Sequence, residues 1–197
     1  MRVAMSGLFG HGAKLRAALE KAGVRIVWGY HPDASKSRRP LADTWDTCWD
    51  WGAAMAYSGV DAAIIASPTP LHFEQIVTAM AARKAVFVEK PLVSSYAECE
   101  AVLLVPRWEA PFMVGHNVRR MGPARAIKAL LDAEALGRVL TIDMNWSQGG
   151  AFEWGPRDWR CSATRHREGP LQTVGVHLFD LLHYWLGPIA EVYARIE

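Results

Sequence analysis

The stretch RVAMSGLFGHGAKLRAALEKAGVRIVWGY, residues 2–30, decides the fold of this chain. A short apolar run leads through a glycine-rich turn into a segment with the apolar spacing of an amphipathic helix, and a second apolar run follows. Gly23 comes directly after the helical segment and is typical of the glycine that ends a helix. The stretch therefore predicts a strand, a helix and a second strand.

The same alternation continues along the first 117 residues. Further buried strands are predicted at DAAIIAS (61–67), AVFV (85–88) and PFMVG (111–115), with helices at 71–83 and 95–105 between them. Short apolar strands that alternate with crossover helices are typical of a parallel sheet covered on both faces. We therefore predict an α/β fold whose first domain, residues 1–117, is a Rossmann-type doubly wound parallel sheet.

After residue 117 the pattern changes, and a second domain is predicted over residues 118–197. Its predicted elements are, in order, a helix (121–137), a strand (139–148), an arginine-rich loop (157–169), a second helix (169–187) and a last strand (189–197). Gly187 and Pro188 are the stop signals of the second helix.

The composition excludes several classes of protein. The chain has 197 residues, of which 51% are hydrophobic and 21% charged, so a globular protein is expected rather than a disordered one. The 22 basic and 20 acidic residues are mixed along the sequence, so no basic surface for nucleic acid or an anionic membrane is predicted. No apolar run approaches the ~20 residues of a membrane span, and no leader segment is recognised. We expect a cytoplasmic protein with a small-molecule partner.

The glycine turn SGLFGHGAK, residues 6–14, is the first candidate site. A turn that leaves a strand and opens a helix offers backbone N–H groups and a helix N-terminus to a phosphate, as in dinucleotide-binding proteins. Against the G-x-G-x-x-G pattern, Phe9 takes the place of the second glycine, and Gly10 is expected to compensate by a shifted turn. A merely tight turn is the alternative. The predicted cofactor contacts are Gly7, Leu8, Phe9, Gly10 and Gly12.

The end of the second strand, WGYHPD at 28–33, bears on the choice of nucleotide. A carboxylate that holds the ribose hydroxyls is expected about 20 residues after the glycines. His31, with Tyr30, occupies that place, and Asp33 comes late. Three basic residues follow: Lys36, Arg38 and Arg39. Basic residues there accept a 2′-phosphate, which favours NADP over NAD; a solvated polar loop is the alternative.

The loop ASPTPLH, residues 66–72, follows the third predicted strand at the edge where open parallel sheets bind ligands. Ser67, Pro68 and Thr69 are small or rigid and leave room for a nicotinamide ribose. His72 is predicted to reach the same ribose; the alternative is a polar residue that only begins the next helix.

The segment VFVEKP, residues 86–91, ends the fourth predicted strand with a carboxylate, an ammonium and a proline. Lys90 is expected to emerge at the same edge of the sheet and to face the cofactor, where a partly dry site tunes its proton affinity. Glu89 supplies a countercharge beside the cofactor, and Pro91 fixes the loop. A surface ion pair is the alternative.

Four motifs, in this order and at these spacings, resemble the Gfo/Idh/MocA oxidoreductases along the whole chain: SPTPLH (67–72), EKP (89–91), GHNVRR (115–120) and GVHLFDLL (175–182). The resemblance implies a dinucleotide-binding domain followed by an open, mostly antiparallel sheet domain. It also implies oxidation of a secondary hydroxyl of a sugar or polyol with NAD or NADP, with Lys90 as catalytic lysine and His177 as catalytic histidine. The second domain is short for the family, so we expect a partial α+β domain with an open sheet edge, and with it a homo-oligomer or a truncated product.

The last predicted helix carries a polar stripe on otherwise apolar sequence, at steps of four, three and four residues: Thr173, His177, Asp180 and Tyr184. The stripe lacks lysine, arginine and glutamate, which favours a semi-buried wall over a solvated face. His177 is the best general base, since imidazole titrates near neutral pH, and Asp180 is expected to orient it. His183 lies off this face, so no metal site is predicted.

Four polar or aromatic residues are the candidates for substrate binding: Arg119, Trp159, Arg160 and Asp180. Arg120 and Arg157 add positive charge that suits a phosphorylated or carboxylated substrate, although exposed arginines are the commoner outcome. Many members of the family that this chain resembles have an aspartate where Thr173 stands. A threonine forms a hydrogen bond but holds no charge, and Thr173 is kept as the third catalytic candidate.

The predicted reaction assigns a step to each main catalytic residue. His177 takes the hydroxyl proton, Lys90 polarises the oxygen or relays the proton, and the substrate carbon passes hydride to the nicotinamide. Two alternatives stay open. One is a catalytically impaired nucleotide-binding protein with a regulatory role, and the other is a reaction that recycles the cofactor with no net oxidation.

Overall fold

The computed structural model describes residues 1–31, 46–48, 50–105, 109–147, 149–153, 155–156, 158–162, 164 and 169–195. The chain divides into two compact units, Met1–Gly115 and His116–Glu197. None of the helices within the described ranges is long and apolar enough to cross a membrane.

The first unit is built on a parallel sheet. Its strands, in chain order, are β1 (Arg2–Ser6), β2 (Arg25–Tyr30), β3 (Asp46–Cys48), β4 (Ala62–Ile65), β5 (Ala85–Val88) and β6 (Phe112–Val114). They lie side by side in the order β3-β2-β1-β4-β5-β6, and each neighbouring pair is parallel. The strand order reverses beside β1, so the predicted doubly wound α/β fold is confirmed.

Helices connect these strands: α1 (His11–Lys21), α2 (Trp51–Ala56), α3 (His72–Ala81) and α4 (Tyr96–Leu104). The sequence pattern predicts neither β3 nor α2. β3 has three residues without an apolar run, and α2 has six residues, too few to show a helical period. The start of α2 is set by Asp50, whose side chain accepts a hydrogen bond from the Ala53 N–H at 3.1 Å.

The core of this unit lies on both faces of the sheet, because successive strand residues point to opposite sides. In β1, Ala4 packs in one apolar cluster while Val3 and Met5 pack in the other. The first cluster joins the sheet to α3 through Ile76, and the second joins it to α1 through Leu15. With both faces covered, the carboxyl ends of the strands are where the polar loops collect.

The second unit contains α5 (Gly122–Asp132) and α6 (Val176–Leu186), with a π-helical turn at Leu171–Gly175 directly before α6. Trp185 Nε1 donates to the Ala124 carbonyl at 2.9 Å and so ties α6 to α5. Short 3-10 turns lie at Val118–Arg120, Gly150–Glu153 and Trp159–Cys161.

The two predicted strands of the second unit are not strands in the part of the chain that the structure describes. Residues 139–147 and 188–195 lie within the described ranges and carry no regular secondary structure. A strand is defined by ladder hydrogen bonds to a neighbouring strand. Residues 139 and 141–146 instead border an apolar groove of about 540 Å³ with α5 and α6. The mostly antiparallel sheet of the second domain therefore stays a prediction.

Candidate functional site

The glycine turn between β1 and α1 fits tightly against neighbouring backbone. Gly7 has φ +84°, and a Cβ there would lie 2.5 Å from the Ser67 amide nitrogen, with the Ala66 carbonyl closer still. A Cβ at Gly12 would lie 2.8 Å from the carbonyl carbon of Gly7, with the oxygen closer still. Both positions therefore require glycine. Gly10, at φ +58°, directly precedes the helix, which agrees with a turn shifted by one place.

The start of α1 is open to an anion. The helix begins at His11, and within the described residues no side chain caps this end. The first N–H groups of a helix have no acceptors within the helix, and the helix dipole favours negative charge beside them. The turn and the start of α1 together form a cradle that suits a phosphate group.

Phe9, in the second glycine place, turns its ring toward the end of β2. The ring meets His31 edge-on, with 5.4 Å between ring centroids and 70° between planes, and Phe9 is 41% exposed. The Leu8 side chain is buried in the core, so only its backbone is available to a ligand. The residues that favour NADP, together with the late acidic residue, lie outside the described ranges: Asp33, Lys36, Arg38 and Arg39.

The loop after β4 is held by a buried hydrogen bond. The Ser67 hydroxyl donates to Gln75 Oε1 at 2.7 Å, so it is already engaged within the protein. Pro68 leads into a 3-10 turn at Thr69–Leu71, and Thr69 is buried. The loop is therefore rigid where it meets the carboxyl edge of the sheet.

His72, the first residue of α3, is 1% exposed. Its Nδ1 lies 2.9 Å from the Pro91 carbonyl oxygen, and its Nε2 lies 2.8 Å from the Ser67 carbonyl oxygen. Backbone carbonyls of the loops after β4 and β5 thus face both ring nitrogens, and the contact of this ring with the ribose stays a prediction.

Glu89 and Lys90 follow β5 at the same carboxyl edge. The Glu89 carboxylate lies 3.2 Å from His11 Nε2 and accepts from the Lys90 amide N–H at 3.3 Å. Burial acts to raise the pKa of Glu89, because it disfavours the ionised form. The hydrogen bond and charge of His11 lower this pKa, and so do the amide and ammonium of Lys90. These influences outweigh burial and hold the pKa of Glu89 below its ordinary value. The Glu89 carboxylate is therefore ionised at neutral pH. Gly115 lies close to it, since a Cβ on Gly115 would be 3.1 Å from Glu89 Oε1.

His11 is a candidate that the sequence analysis misses. Its side chain is 57% exposed and links the glycine turn to the loop that carries Lys90. The only signal for it in the sequence is a titratable residue between Gly10 and Gly12.

In the second unit, His177 is the second residue of α6 and is 7% exposed. Its ring stacks on that of Trp146, with 5.4 Å between ring centroids and 16° between planes. The stack contributes to the orientation of the imidazole. Trp146 is also missed by the sequence analysis, because nothing in the spacing of the sequence connects the two residues.

Asp180 is bound by an arginine. Arg119 donates through Nε to Asp180 Oδ2 at 2.9 Å and through Nη2 to Oδ1, and His116 Nδ1 lies 3.4 Å from the same Oδ1. The hydrogen bond to Asp180 outweighs partial burial and raises the pKa of Arg119. The Arg119 guanidinium also lies 5.3 Å from the ring centroid of Tyr184. The carboxylate predicted to orient His177 is thus engaged by Arg119, and two predicted substrate contacts bind each other.

Thr173 lies in the π-helical turn before α6. A π turn closes i→i+5 hydrogen bonds, so the four-residue step of an α-helix does not apply within it. Of the predicted polar stripe, His177, Asp180 and Tyr184 lie in α6, whereas Thr173 precedes that helix, and its place on the stripe stays a prediction.

The other predicted substrate contacts are dispersed. Arg160 Nη1 donates to the Asp158 carboxylate at 3.0 Å, so this pair is local. Trp159 begins the same 3-10 turn, Arg120 is exposed, and Arg157 lies outside the described residues. Among the residues that the structure describes, no group of three or more His, Cys, Asp or Glu side chains is placed to hold a metal ion.

Two family models match the chain. The model described as an oxidoreductase family with an NAD-binding Rossmann fold matches residues 1–116, which is more than half of the chain. The model of the GFO/IDH/MocA C-terminal domain matches residues 124–197.

Curated relatives and solved structures agree with these matches. The chain is 35% identical to the 4-carboxy-2-hydroxymuconate-6-semialdehyde dehydrogenase of Sphingobium sp., over 98% of this chain and 62% of that protein. It is 28% identical to the levoglucosan dehydrogenase of Pseudarthrobacter phenanthrenivorans, over 75% of this chain and 38% of that protein. The chain spans about half the length of the curated relatives it matches. A solved structure from Desulfitobacterium hafniense, assigned to the NADPH-dependent oxidoreductases, has a TM-score of 0.86 at 27% identity, with 96% of this chain and 56% of that chain covered.

Proposed function

Because the chain belongs to the Gfo/Idh/MocA family of NAD-binding oxidoreductases, we propose that it transfers hydride between NAD or NADP and a secondary hydroxyl of a sugar or polyol. The observation that carries the proposal is the glycine turn, where Gly7 and Gly12 admit no Cβ. Such a turn, followed by an uncapped helix start, is the cradle that a dinucleotide pyrophosphate needs, so the residues present fit the cofactor. The levoglucosan dehydrogenase among the relatives supports a sugar as the substrate class.

The cofactor contacts proposed in the first unit surround the glycine turn. The pyrophosphate would be bound by backbone of the turn residues Gly7, Leu8, Phe9, Gly10 and Gly12. His31 would adjoin the adenosine ribose, and the loop at 67–69 with Glu89 would adjoin the nicotinamide ribose. When bound, the nicotinamide supplies the hydride acceptor. The basic residues after β2 support a preference for NADP: Lys36, Arg38 and Arg39.

The proposed base is His177, which would take the hydroxyl proton of the substrate. A general base needs a fixed orientation, and the burial of this ring and its stack on Trp146 support that role. Lys90 is proposed to donate a hydrogen bond to the substrate oxygen and stabilise the negative charge that develops there. Its neighbour Glu89 is ionised, which keeps a countercharge beside the ammonium.

The test compares Lys90→Met with Lys21→Met, a control at the exposed end of α1. Turnover is followed as reduced nicotinamide over a panel of hexoses, anhydrohexoses and inositols, each with NAD and NADP. Lys90→Met is expected to lose about 10²–10³ in turnover, as for a removed donor that stabilises developing negative charge, with calorimetric affinity for NADH and NADPH unchanged.

The controls separate the parts of the proposal. Equal turnover in Lys90→Met and Lys21→Met would remove Lys90 from the mechanism. A wild-type chain that binds neither NADH nor NADPH would reject the proposed function as a whole, whereas binding of NADPH in preference to NADH would support the assignment of the basic residues after β2.

A further inference from the structure

The imidazole of His72 lies between two loops at the carboxyl edge of the sheet. Its Nε2 meets the Ser67 carbonyl oxygen of the loop after β4 at 2.8 Å. Its Nδ1 meets two carbonyl oxygens of the loop after β5, at 2.9 Å for Pro91 and 3.3 Å for Leu92. The ring is 1% exposed, so these contacts are shielded from water.

The two loops carry groups of the proposed site. Ser67 begins the 67–69 segment, and Pro91 directly follows Lys90. Lys90 and Pro91 share a peptide bond, so a displacement of the Pro91 backbone is passed on to Lys90. The same loop is held from its other side by the contact between Glu89 and His11.

We propose that His72 is a positioning residue, which fixes the loop that carries Lys90 against the loop at 67–69 by filling the space between their carbonyl oxygens. The proposed effect of His72 on the two loops depends only on the contacts of its ring. The consequence for catalysis rests on the proposed function, in which Lys90 contacts the substrate.

The protonation of the ring bears on how the loops are held. A carbonyl oxygen only accepts, and a neutral imidazole has one N–H, so the neutral ring donates to the carbonyl of one loop and meets the carbonyl of the other without a hydrogen bond. Burial is the largest influence and holds the pKa of His72 below 6.5, although the backbone carbonyls and the charge of Glu89 act to raise it. The charged side chains on the elements around the ring are Glu74 on α3, Glu89 and Lys90 after β5, and Glu98 and Glu100 on α4.

The sign of the pH effect follows from this pKa. When the loops open, the ring regains its ordinary pKa of 6.5 and binds a proton more readily than the enclosed ring does. Acid therefore favours the open loops, up to about tenfold for each pH unit below 6.5. Above that value, the enclosed neutral ring keeps its full contribution.

The experiment measures amide hydrogen exchange in the full chain for wild type, His72→Phe, His72→Gln and the control Thr78→Ala. Thr78 lies on the same helix, but its hydroxyl donates only to the Glu74 carbonyl within that helix. In His72→Phe, exchange of the Glu89, Lys90 and Leu92 amides should accelerate at least about tenfold, because the loops lose the buried donor. Thr78→Ala should leave these amides unchanged.

The glutamine variant tests whether the titration of His72 affects the two loops, which a role in filling space alone would not predict. A glutamine amide can donate to the carbonyls but does not titrate. In His72→Gln, the Glu89, Lys90 and Leu92 amides should therefore regain part of their protection from exchange. That protection should no longer depend on pH between 5 and 7. Unchanged exchange at Glu89 to Leu92 in His72→Phe, or a uniform increase over the whole sheet, would overturn the proposal. If His72→Phe does not fold, the absence of a pH difference between wild type and His72→Gln would overturn it instead.

NADH and NADPH titrations of the same proteins keep this inference apart from the proposed function. A wild type that binds neither nucleotide would count against the function, while the exchange rates would still decide the role of His72. With binding intact, a fall in kcat of His72→Phe larger than its loss of nucleotide affinity would support the positioning of Lys90. Unchanged kcat would remove that consequence.

Discussion

Replacing Gly12 with alanine is expected to displace the start of α1 and abolish nucleotide binding. The added Cβ would lie 2.8 Å from the Gly7 carbonyl carbon, with the oxygen closer still, whereas carbon atoms pack at about 3.5–4.0 Å. Both partners are backbone, so no side chain can rotate away, and relief of the closer contact with the oxygen requires the turn and helix to part by more than about 1 Å. Overpacking of this kind costs about 1–3 kcal/mol of folding free energy.

The phosphate cradle is more sensitive than the fold to such a shift. A misplacement of about 1 Å in a positioning group costs on the order of 10² in function, since hydrogen bonds to an anion depend on distance and direction. Calorimetry with NADH and NADPH measures the loss. Thermal unfolding measures the stability, where each kcal/mol corresponds to about 2–4 °C in a chain of this size.

The matched control is Gly122→Ala. Gly122 is the first residue of α5, and among the described residues a Cβ there would meet no atom within 4 Å beyond its chain neighbours and its own helix backbone. Alanine in a helix is favoured over glycine by up to about 1 kcal/mol, so this variant should unfold at the wild-type temperature or above it. Wild-type nucleotide affinity and melting temperature in Gly12→Ala would refute the reasoning, because the turn would then tolerate a side chain that the geometry forbids.

Three further predictions concern the ionised and stacked groups. Arg119→Lys loses the two-pronged bond to Asp180 and should lower the free energy of unfolding by about 1.5–3 kcal/mol, measured in urea; an unchanged midpoint would contradict it. Trp146→Leu removes the ring stacked on His177, an interaction of about 0.5–1.5 kcal/mol, and should lower kcat/KM; an unchanged kcat/KM would speak against the role of the stack. Since the pKa of Glu89 is lowered in the folded chain, the ionised carboxylate stabilises the fold above pH 4.5, and this stabilisation is lost as the pH falls. In urea titrations below pH 4.5, Glu89→Gln should therefore reduce the dependence of the unfolding free energy on pH by up to about 1.4 kcal/mol per pH unit. The same dependence in wild type and variant would refute this.

The parallel sheet could be predicted because its central strands are buried on both faces. Ala62–Ile65 is apolar at every position, and the four residues are buried in the fold, so a continuous apolar run indicates the strand directly. Asp46–Cys48 carries no such run and pairs with β2 at the edge of the sheet. Its place depends on that non-local pairing, which a local pattern does not contain.

The sequence could predict those positions of the candidate site that depend on backbone geometry alone, such as Gly12. Contacts between distant residues could not be predicted, as the pairs of His11 with Glu89 and of Trp146 with His177 show. Spacing along the chain carries no information about which side chains the fold brings together. The boundary after residue 117, the homo-oligomer, the cytoplasmic location and the NADP preference stay predictions.

Asp180 illustrates how spacing within one helix misleads about charge. It lies one turn after His177, which suggests a carboxylate that orients an imidazole, yet Arg119 holds both of its oxygens. Arg119 lies in the turn at Val118–Arg120, so the ion pair ties that turn to α6. A neutralised carboxylate stabilises a neighbouring imidazolium less than an isolated one does. A carboxylate that helps to secure α6 is thereby separate from the group proposed to move the proton, and the uncharged stack on Trp146 contributes to the orientation of that base.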